Sequence, residues 1–478
     1  MKYLNKGNMQ KLISMHNRYT TRELYYKIRE KMQAPYRDYN QQVHQYLPTG
    51  AELENQRKDQ AELKERPLIS IVVPTYETDP LFLTQMIDSV RDQTYDNWQL
   101  CIADGSRTDQ VEEMVRRFIG SDHRIRYQCL AHNGGISENT NQGFAMADGD
   151  YIALLDHDDL LVPSALYEMV KAVSETHADV LYSDEDKVSG DLSCYMDPHF
   201  KLDFNQELLL GNNYICHFLM FSREVLEKAG GLDSRYDGAQ DFDFVLRLSE
   251  CARRIHHIPK ILYHWRIHSG STAGNTDSKL YAYEAGKRAV EAYLKRNGLS
   301  GTVAMDGELG FYKVKYDVPK GITVGIQTWG ETSQQYKNIR QQIEKELEQL
   351  GAEIFWNGET DCKCNDAADY ILTVNRAVTN IKEGSVALLL GSCARPGIRA
   401  VGSKTIAKGR VVQCGFWEKK SGKTARFAGL PCHFKGYFRR AYLSVEADAL
   451  SNDLTVTAAN RTDGKIIVEP ASEVTIRA

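Results

Sequence analysis

The spacing of apolar residues changes character along the chain. Residues 1–66 are polar, rich in Tyr, Gln and charge, and mostly without Gly. Within them Tyr25, Tyr26, Ile28 and Met32 can share one face of a helix, which predicts a helical preface. Pro67 disfavours helix at the residue before it and closes that segment. From Leu68 the texture is different. Ile69, Ile71, Val72 and Val73 form a short apolar run ending at Pro74, the pattern of a strand buried on both faces of a parallel sheet. Leu83, Met86, Ile87 and Val90 follow on one helical stripe. Residues 98–103 then read as a strand, Asp104-Gly105-Ser106 as a turn, and 111–118 as a helix. Residues 151–155 form a further buried strand that runs straight into Asp156, His157, Asp158 and Asp159. This alternation predicts an α/β fold with a doubly wound sheet and ligands at the carboxyl ends of its strands.

The pattern loosens near 295–301, and a second alternating region starts at Gly321, with a strand at 322–326, a charged amphipathic helix at 333–350 and a strand at 352–356. The expected division is a helical segment over 1–66, a main domain over 67–298, a linker over 299–320 and a smaller α/β domain over 321–478. A length of 478 residues suits two or three domains.

Composition narrows the chemistry. The 42% apolar and 26% charged residues are ordinary for a globular chain. A formal net charge of -5 argues against general nucleic-acid binding, which needs a basic surface. It leaves room for a small anionic ligand if a divalent metal supplies positive charge locally. The ten cysteines are scattered. Only Cys362 and Cys364 lie close together, with no partner pair at zinc-site spacing, so reduced thiols of a cytosolic protein are expected. Residues 1–16 carry Lys2, Lys6 and Lys11 without a long apolar core, unlike a secretory signal. No apolar run approaches the ~20 residues that span a bilayer. A cytoplasmic location is expected, with peripheral contact at the inner face of the membrane left open.

Three carboxylates at one strand end repel one another, and a cation would stabilise their ionised forms. A hard ion such as Mg²⁺ or Mn²⁺ suits oxygen ligands and completes its shell with water and phosphates. A solvated acidic loop explains the same cluster. Asp104 could bind a base or ribose, or simply form an Asp-Gly turn. Thr75 and Glu77 end the first strand and could face the same crevice. The glycines of His132-Asn133-Gly134-Gly135 permit close backbone approach, as they would in any turn. Asp241, after Gln240, could deprotonate a hydroxyl, or could be a helix N-terminal acid held by the macrodipole. His264 and His268 could ligate a metal as neutral imidazoles or be structural.

In this order the segments PLISIVVP (67–74), ADGS (103–106), NGGISEN (133–139), GDYIALLDHDD (149–159), YSDEDK (182–187), DPHFK (197–201), GAQD (238–241) and HWRIHSGST (264–272) resemble the family 2 glycosyltransferases of the GT-A fold. The resemblance runs over about residues 67–298 and is nearest to the bacterial group that builds O-antigens, rhamnose-containing chains and other cell-surface polysaccharides. It implies a metal-dependent, inverting enzyme that moves a sugar from a UDP- or dTDP-sugar to a glycan or lipid-linked glycan acceptor. By residue, it implies that Thr75, Glu77 and Asp104 hold the nucleoside. Asp156 and Asp158 would position metal and donor, with Asp158 the direct ligand and His268 completing the site. Asp241 would be the base, and Asp184, Asp186, Asn213, His217 and Gln240 would line the sugar or acceptor side. A nucleotidyltransferase should carry a Gly-rich basic loop after its first strand, where this chain has Tyr76, Glu77, Thr78 and Asp79. A non-catalytic sugar-nucleotide-binding scaffold would not need every one of these acids.

Residues 321–478 resemble a worn copy of the same unit. The stretch ADYILTVNRAV (368–378) follows the pattern of 149–159, but Asn375, Arg376 and Ala377 stand where the acids should be. Segments 395–404 and 429–438 also resemble second-unit pieces. The chain is expected to end before any counterpart of the Gln-Asp motif and of the histidine segment, so this copy is expected to be inactive and kept for packing, dimerisation or acceptor guidance. Arg376, Lys404, Lys408 and Arg410 could favour an anionic lipid-linked acceptor, or could be scattered solvated cations.

Overall fold

The computed structural model describes residues 36–268, 280–306, 309–356, 368–419 and 422–476, with Tyr25, Arg29, Glu30 and Met32 ahead of them. Residues 1–16, Tyr26, Ile28, Cys362, Cys364 and the Ser269–Thr272 end of the histidine segment lie outside the described residues.

The first unit is built on β1 (Ile69–Thr75), β2 (Trp98–Asp104), β3 (Ile125–Cys129), β4 (Tyr151–Leu154), β5 (Leu160–Leu161), β6 (Val180–Ser189), β7 (Tyr195–His199), β8 (Leu219–Ser222) and β9 (Ile255–Ile267). They form one nine-stranded sheet in the order β3-β2-β1-β4-β8-β6-β9-β5, with β7 beside β6. β1 runs parallel to β2 and β4, β2 to β3, and β6 to β9, while β8 is antiparallel to both neighbours. This is the GT-A arrangement. The apolar run of β1 is buried on both faces as its pattern requires. Ile69, Ile71 and Val73 enter one core and Val72 the other. The helix Pro80–Arg91 buries the expected stripe of Leu83, Met86, Ile87 and Val90. Asp79 starts it by accepting from the Leu81 N–H, with Pro80 in the first turn, where a missing N–H does no harm.

The preface is only partly what its pattern suggested. Tyr25 and Met32 are helical but exposed. The helix Gly50–Asp59 is started by a Thr49–Glu52 capping box. The segment is anchored by Tyr39, whose hydroxyl donates to Asp186 at 2.6 Å. The stretch expected to be a linker is an ordered antiparallel hairpin, β10 (Gly301–Met305) and β11 (Tyr312–Tyr316). Val303, Tyr312 and Tyr316 of this hairpin are buried in the core of the first unit.

The second unit contains β12 (Thr323–Trp329), β13 (Glu353–Trp356), β14 (Tyr370–Asn375), β15 (Val378–Ile381), β16 (Ile398–Ala407), β17 (Arg410–Gln413), a separate hairpin of β18 (Phe416–Lys419) and β19 (Gly422–Ala425), β20 (Val445–Glu446), β21 (Leu454–Ala458) and β22 (Lys465–Ile476). Its main sheet, β13-β12-β14-β21-β16-β22-β15, repeats the first sheet strand for strand from β2 to β5, with the same parallel and antiparallel pairs. The registers agree in detail. Asp150 accepts from the Leu68 N–H ahead of β1, and Asp369 accepts from the Thr323 N–H at the same place in β12. The register shift between Ser183 and Asp184 recurs between Ser403 and Lys404.

This register amends one expectation. β22 is the counterpart of β9, the strand that leads into the histidine segment. What is missing is the helical excursion between β8 and β9, including the helix Gln240–Cys251, which residues 459–464 replace with a short turn. Lys404 also differs from expectation. It is fully buried, ion-paired with Glu473 and set over the Tyr442 ring, so it offers no surface charge. Arg376 is half-buried, and Lys408 and Arg410 are exposed.

The two units are locked together by a buried ion pair. Arg395 donates to both carboxylate oxygens of Glu207, at 2.7 and 3.1 Å, and its guanidinium lies 4.1 Å from the Tyr316 ring centroid. A bidentate pair of this kind is directional, and removing one member strands the other charge. Arg395→Met is expected to lower stability by about 3–5 kcal/mol. The double variant Arg395→Met with Glu207→Leu is expected to recover most of that loss. Urea unfolding of the two variants checks both statements.

Candidate active site

The carboxyl ends of β1, β2 and β4 lie side by side because the three strands are parallel neighbours. At the first two ends Thr75 donates its hydroxyl to Asp104 Oδ1 at 2.9 Å. The same oxygen accepts from the Ser106 N–H and hydroxyl, and Oδ2 accepts from Tyr127 at 2.7 Å. Asp104 is therefore buried and first of all organises its own loop. Glu77 accepts from the Arg107 N–H and the Thr108 hydroxyl, both at 2.8 Å, and these bonds hold its carboxyl below the usual range. The sequence marks Asn133 and Asn139 as the ends of one motif but does not show that they bond to each other. Asn139 donates to Asn133 and accepts from the Gly134 N–H. A Cβ on Gly105 would sit 2.6 Å from the Asn139 amide, so the two loops approach through that glycine.

The three acids after β4 divide into distinct environments. Asp159 is fully buried and accepts from the Tyr263 hydroxyl at 2.5 Å and the Arg266 N–H at 2.7 Å. Burial first, then the charges of Asp156 and Asp158, push its carboxyl well up. Both its oxygens are engaged and its ionised form is disfavoured, so it serves as a structural anchor. Asp158 is partly open, and its Oδ2 lies 2.8 Å from His268 Nε2. Asp156 is half-exposed, 3.9 Å from His217 Nε2. Arg266, fully buried, donates to the Asp158 carbonyl, Gln85 and the Gly190 carbonyl and lies over Phe82. It braces the backbone of the acidic turn.

Two ligands on adjacent positions of an octahedral ion with bonds of ~2.0–2.1 Å stand roughly 3 Å apart. Asp158 Oδ2 and His268 Nε2, 2.8 Å apart in a hydrogen bond, stand close to that separation, so the pair could supply two ligands if a divalent cation took the place of that bond. Asp156, Asp159 and His217 also bring one donor atom each within 4.8 Å of one another. Asp159 is the weak member of that second group for the reasons above.

His217 stands between the acidic turn and Asp241. Its ring stacks on Tyr263 at 4.6 Å, and its carbonyl accepts from Lys201. Lys201 is itself buried against Glu185. Burial pushes Glu185 up, but Lys201 and His199 outweigh it and hold the carboxyl at about 2. Asp241 sits in the first turn of the helix Gln240–Cys251 and accepts from Asn213 at 2.9 Å. Burial raises its pKa, His217 opposes the rise, and the Asp156 charge adds to it. Asn213 thus positions Asp241, and Gln240 accepts from the Gly238 N–H to shape the turn before it. Asp184 and Asp186 are not brought into this group. Asp184 is buried against His257 and the Lys201 N–H, and Asp186 against His264 and Tyr39.

The described cysteines are all free thiols. Among the described residues, no helix is long and apolar enough to cross a membrane.

Residues 70–230 match the family model described as glycosyl transferase family 2. Over 240 residues the chain is 46% identical to the uncharacterized protein y4gI of Sinorhizobium fredii, covering 49% of this chain and 26% of that one. Over 262 residues it is 36% identical to the O-antigen biosynthesis protein RfbC of Myxococcus xanthus, covering 54% of this chain and 20% of that one. The matched region thus spans about a quarter or less of these relatives. Among solved structures, S. aureus TarS 1–349 is similar with a TM-score of 0.39 and 20% identity, covering 47% of this chain and 65% of that one.

Proposed function

Because residues 70–230 form a domain of glycosyl transferase family 2, we propose that the chain transfers a sugar, with inversion, from a UDP- or dTDP-sugar to an acceptor hydroxyl in bacterial cell-surface polysaccharide biosynthesis. One observation carries the reading. The acidic turn after β4, with its Asp158–His268 pair and with Asp156 3.9 Å from His217, lies within electrostatic reach of Asp241, a carboxyl whose pKa burial raises. The relative named for O-antigen biosynthesis supports the polysaccharide context.

Asp158, His268 and Asp156 would hold Mg²⁺ or Mn²⁺, which neutralises charge developing on a departing diphosphate. Thr75, Glu77, Asp104 and the Asn133–Asn139 loop would seat the nucleoside. Asp241 takes the acceptor proton as the acceptor oxygen bonds to the anomeric carbon. The bond from that carbon to the diphosphate oxygen breaks on the opposite side, and the diphosphate leaves with the electron pair. Asn213 keeps the receiving oxygen of Asp241 oriented and favours its ionised state.

The test is to mix the chain with Mn²⁺ and a panel of sugar nucleotides, then follow thermal stability and nucleoside-diphosphate release. Stabilisation by one nucleotide class and metal-dependent release are expected. Stabilisation without release under any acceptor would leave a binding scaffold instead.

A further inference from the structure

A 610 Å³ cleft separates Leu202–Asn205 of the first unit from β18, β20 and the start of β22 in the second. Its walls combine a half-buried indole, Trp417, with the carboxylates of Asp203, Glu418, Glu446 and Asp448. We propose that this cleft binds a neutral glycan strand, with Trp417 as the stacking platform.

Sugar rings present an apolar C–H face that suits an aromatic surface and a rim of hydroxyls that suits carboxylate and amide acceptors. The cleft supplies both. Arg426, only 3% exposed, lies 4.8 Å from the Trp417 ring centroid and fixes the indole plane. Asp203 is 98% exposed, and the Glu418 N–H sets Asp448 at 2.7 Å. Asn205 accepts from the Leu208 and Glu446 N–H groups, so the two walls are tied at the cleft's edge.

Charge selects the ligand class. Four carboxylates face one lining cation, Lys465, which is already paired with Glu446 at 2.7 Å. A phosphate, sulfate or uronate strand would meet net repulsion, whereas a neutral strand would not. The second unit, whose acidic turn is gone, would thereby still touch the glycan. The idea that this strand is the acceptor rests on the transfer reading above, but the binding itself does not.

Affinity electrophoresis of the full chain through gels containing dextran, mannan or polygalacturonate tests the proposal. Dextran or mannan should retard the chain and polygalacturonate should not. Trp417→Ala should weaken retention roughly tenfold, as for loss of a central aromatic contact. Asp203→Asn, on the exposed opposite wall, should weaken it by a smaller factor with unchanged thermal stability. Asp158→Ala should be retained like wild type, which separates this site from donor chemistry. The proposal is overturned if neither neutral polymer retards the chain, if polygalacturonate retards it more, if both cleft variants run as wild type, or if Asp158→Ala abolishes retention.

Discussion

Asp241→Asn is expected to slow sugar transfer by about 10² to 10⁴-fold, the usual worth of a positioned general base, while nucleotide-induced thermal stabilisation stays intact. The carboxyl must be ionised to take the acceptor proton, and burial raises its pKa above the ordinary value. The wild-type rate should therefore fall on the acid side at a pH above the usual carboxylate range, as protonation removes the base. Asn213→Ala deletes the N–H that favours the ionised form. That variant should shift the acid limb to still higher pH, with a smaller loss at the alkaline plateau. A pH–rate profile of the three proteins checks the assignment. An unshifted limb in Asn213→Ala, or near-wild-type transfer in Asp241→Asn, would remove Asp241 from the role of base.

The parts of the site that could be read from the sequence are those where a strand ends. A buried apolar run followed by an acid places that acid at a carboxyl end whatever the rest of the fold does, which is why Thr75, Asp104 and the Asp156–Asp159 turn could be located. The acids of β6 are a different matter. Asp184 and Asp186 lie within a strand, and what makes them structural is His257, His264 and Tyr39, each brought in from a distant part of the chain. No local pattern encodes those partners. Lys404 is the same case with the charges reversed, since its partner Glu473 arrives through the register of β22.

Other features were legible but easily overlooked. Tyr312, Val314 and Tyr316 alternate with Lys313 and Lys315, the period-two signature of a half-buried strand, and the structure makes them β11. The missing excursion of the second unit has the opposite character. β22 lacks the histidines that mark β9, so only the sheet order and the shared register shift reveal that the strand survived while the counterpart of the helix carrying Asp241 did not. Deletion of that helix, together with Asn375 and Ala377 at the positions of Asp156 and Asp158, removes both charge sites of the proposed reaction from the copy. Asn375 donates instead to Asp453, which also accepts from Thr405 and Ser451. The place of the acidic turn is filled by a closed polar network, which favours rigidity over exchange with a ligand.

The contrast between Asp158 and Asp159 gives the other large expected effect. Asp158→Ala removes the partly open carboxylate beside His268, and transfer should fall by about 10³-fold or more if several kcal/mol of charge stabilisation disappear. The fold should be little affected, because Arg266 holds the Asp158 carbonyl and not its side chain. Mn²⁺-dependent stabilisation by nucleoside diphosphate should vanish with the activity. Asp159→Asn should behave in reverse. The asparagine amide has a single oxygen, so either the Tyr263 hydroxyl or the Arg266 N–H meets an NH2 group where it had an acceptor. That loss should cost about 1–3 kcal/mol of stability, while Mn²⁺-dependent stabilisation by nucleotide persists below the lowered melting temperature. Thermal unfolding with and without Mn²⁺ and nucleotide separates the two variants. Metal response lost in Asp159→Asn and kept in Asp158→Ala would move the cation from the Asp158–His268 pair to the group formed by Asp156, Asp159 and His217.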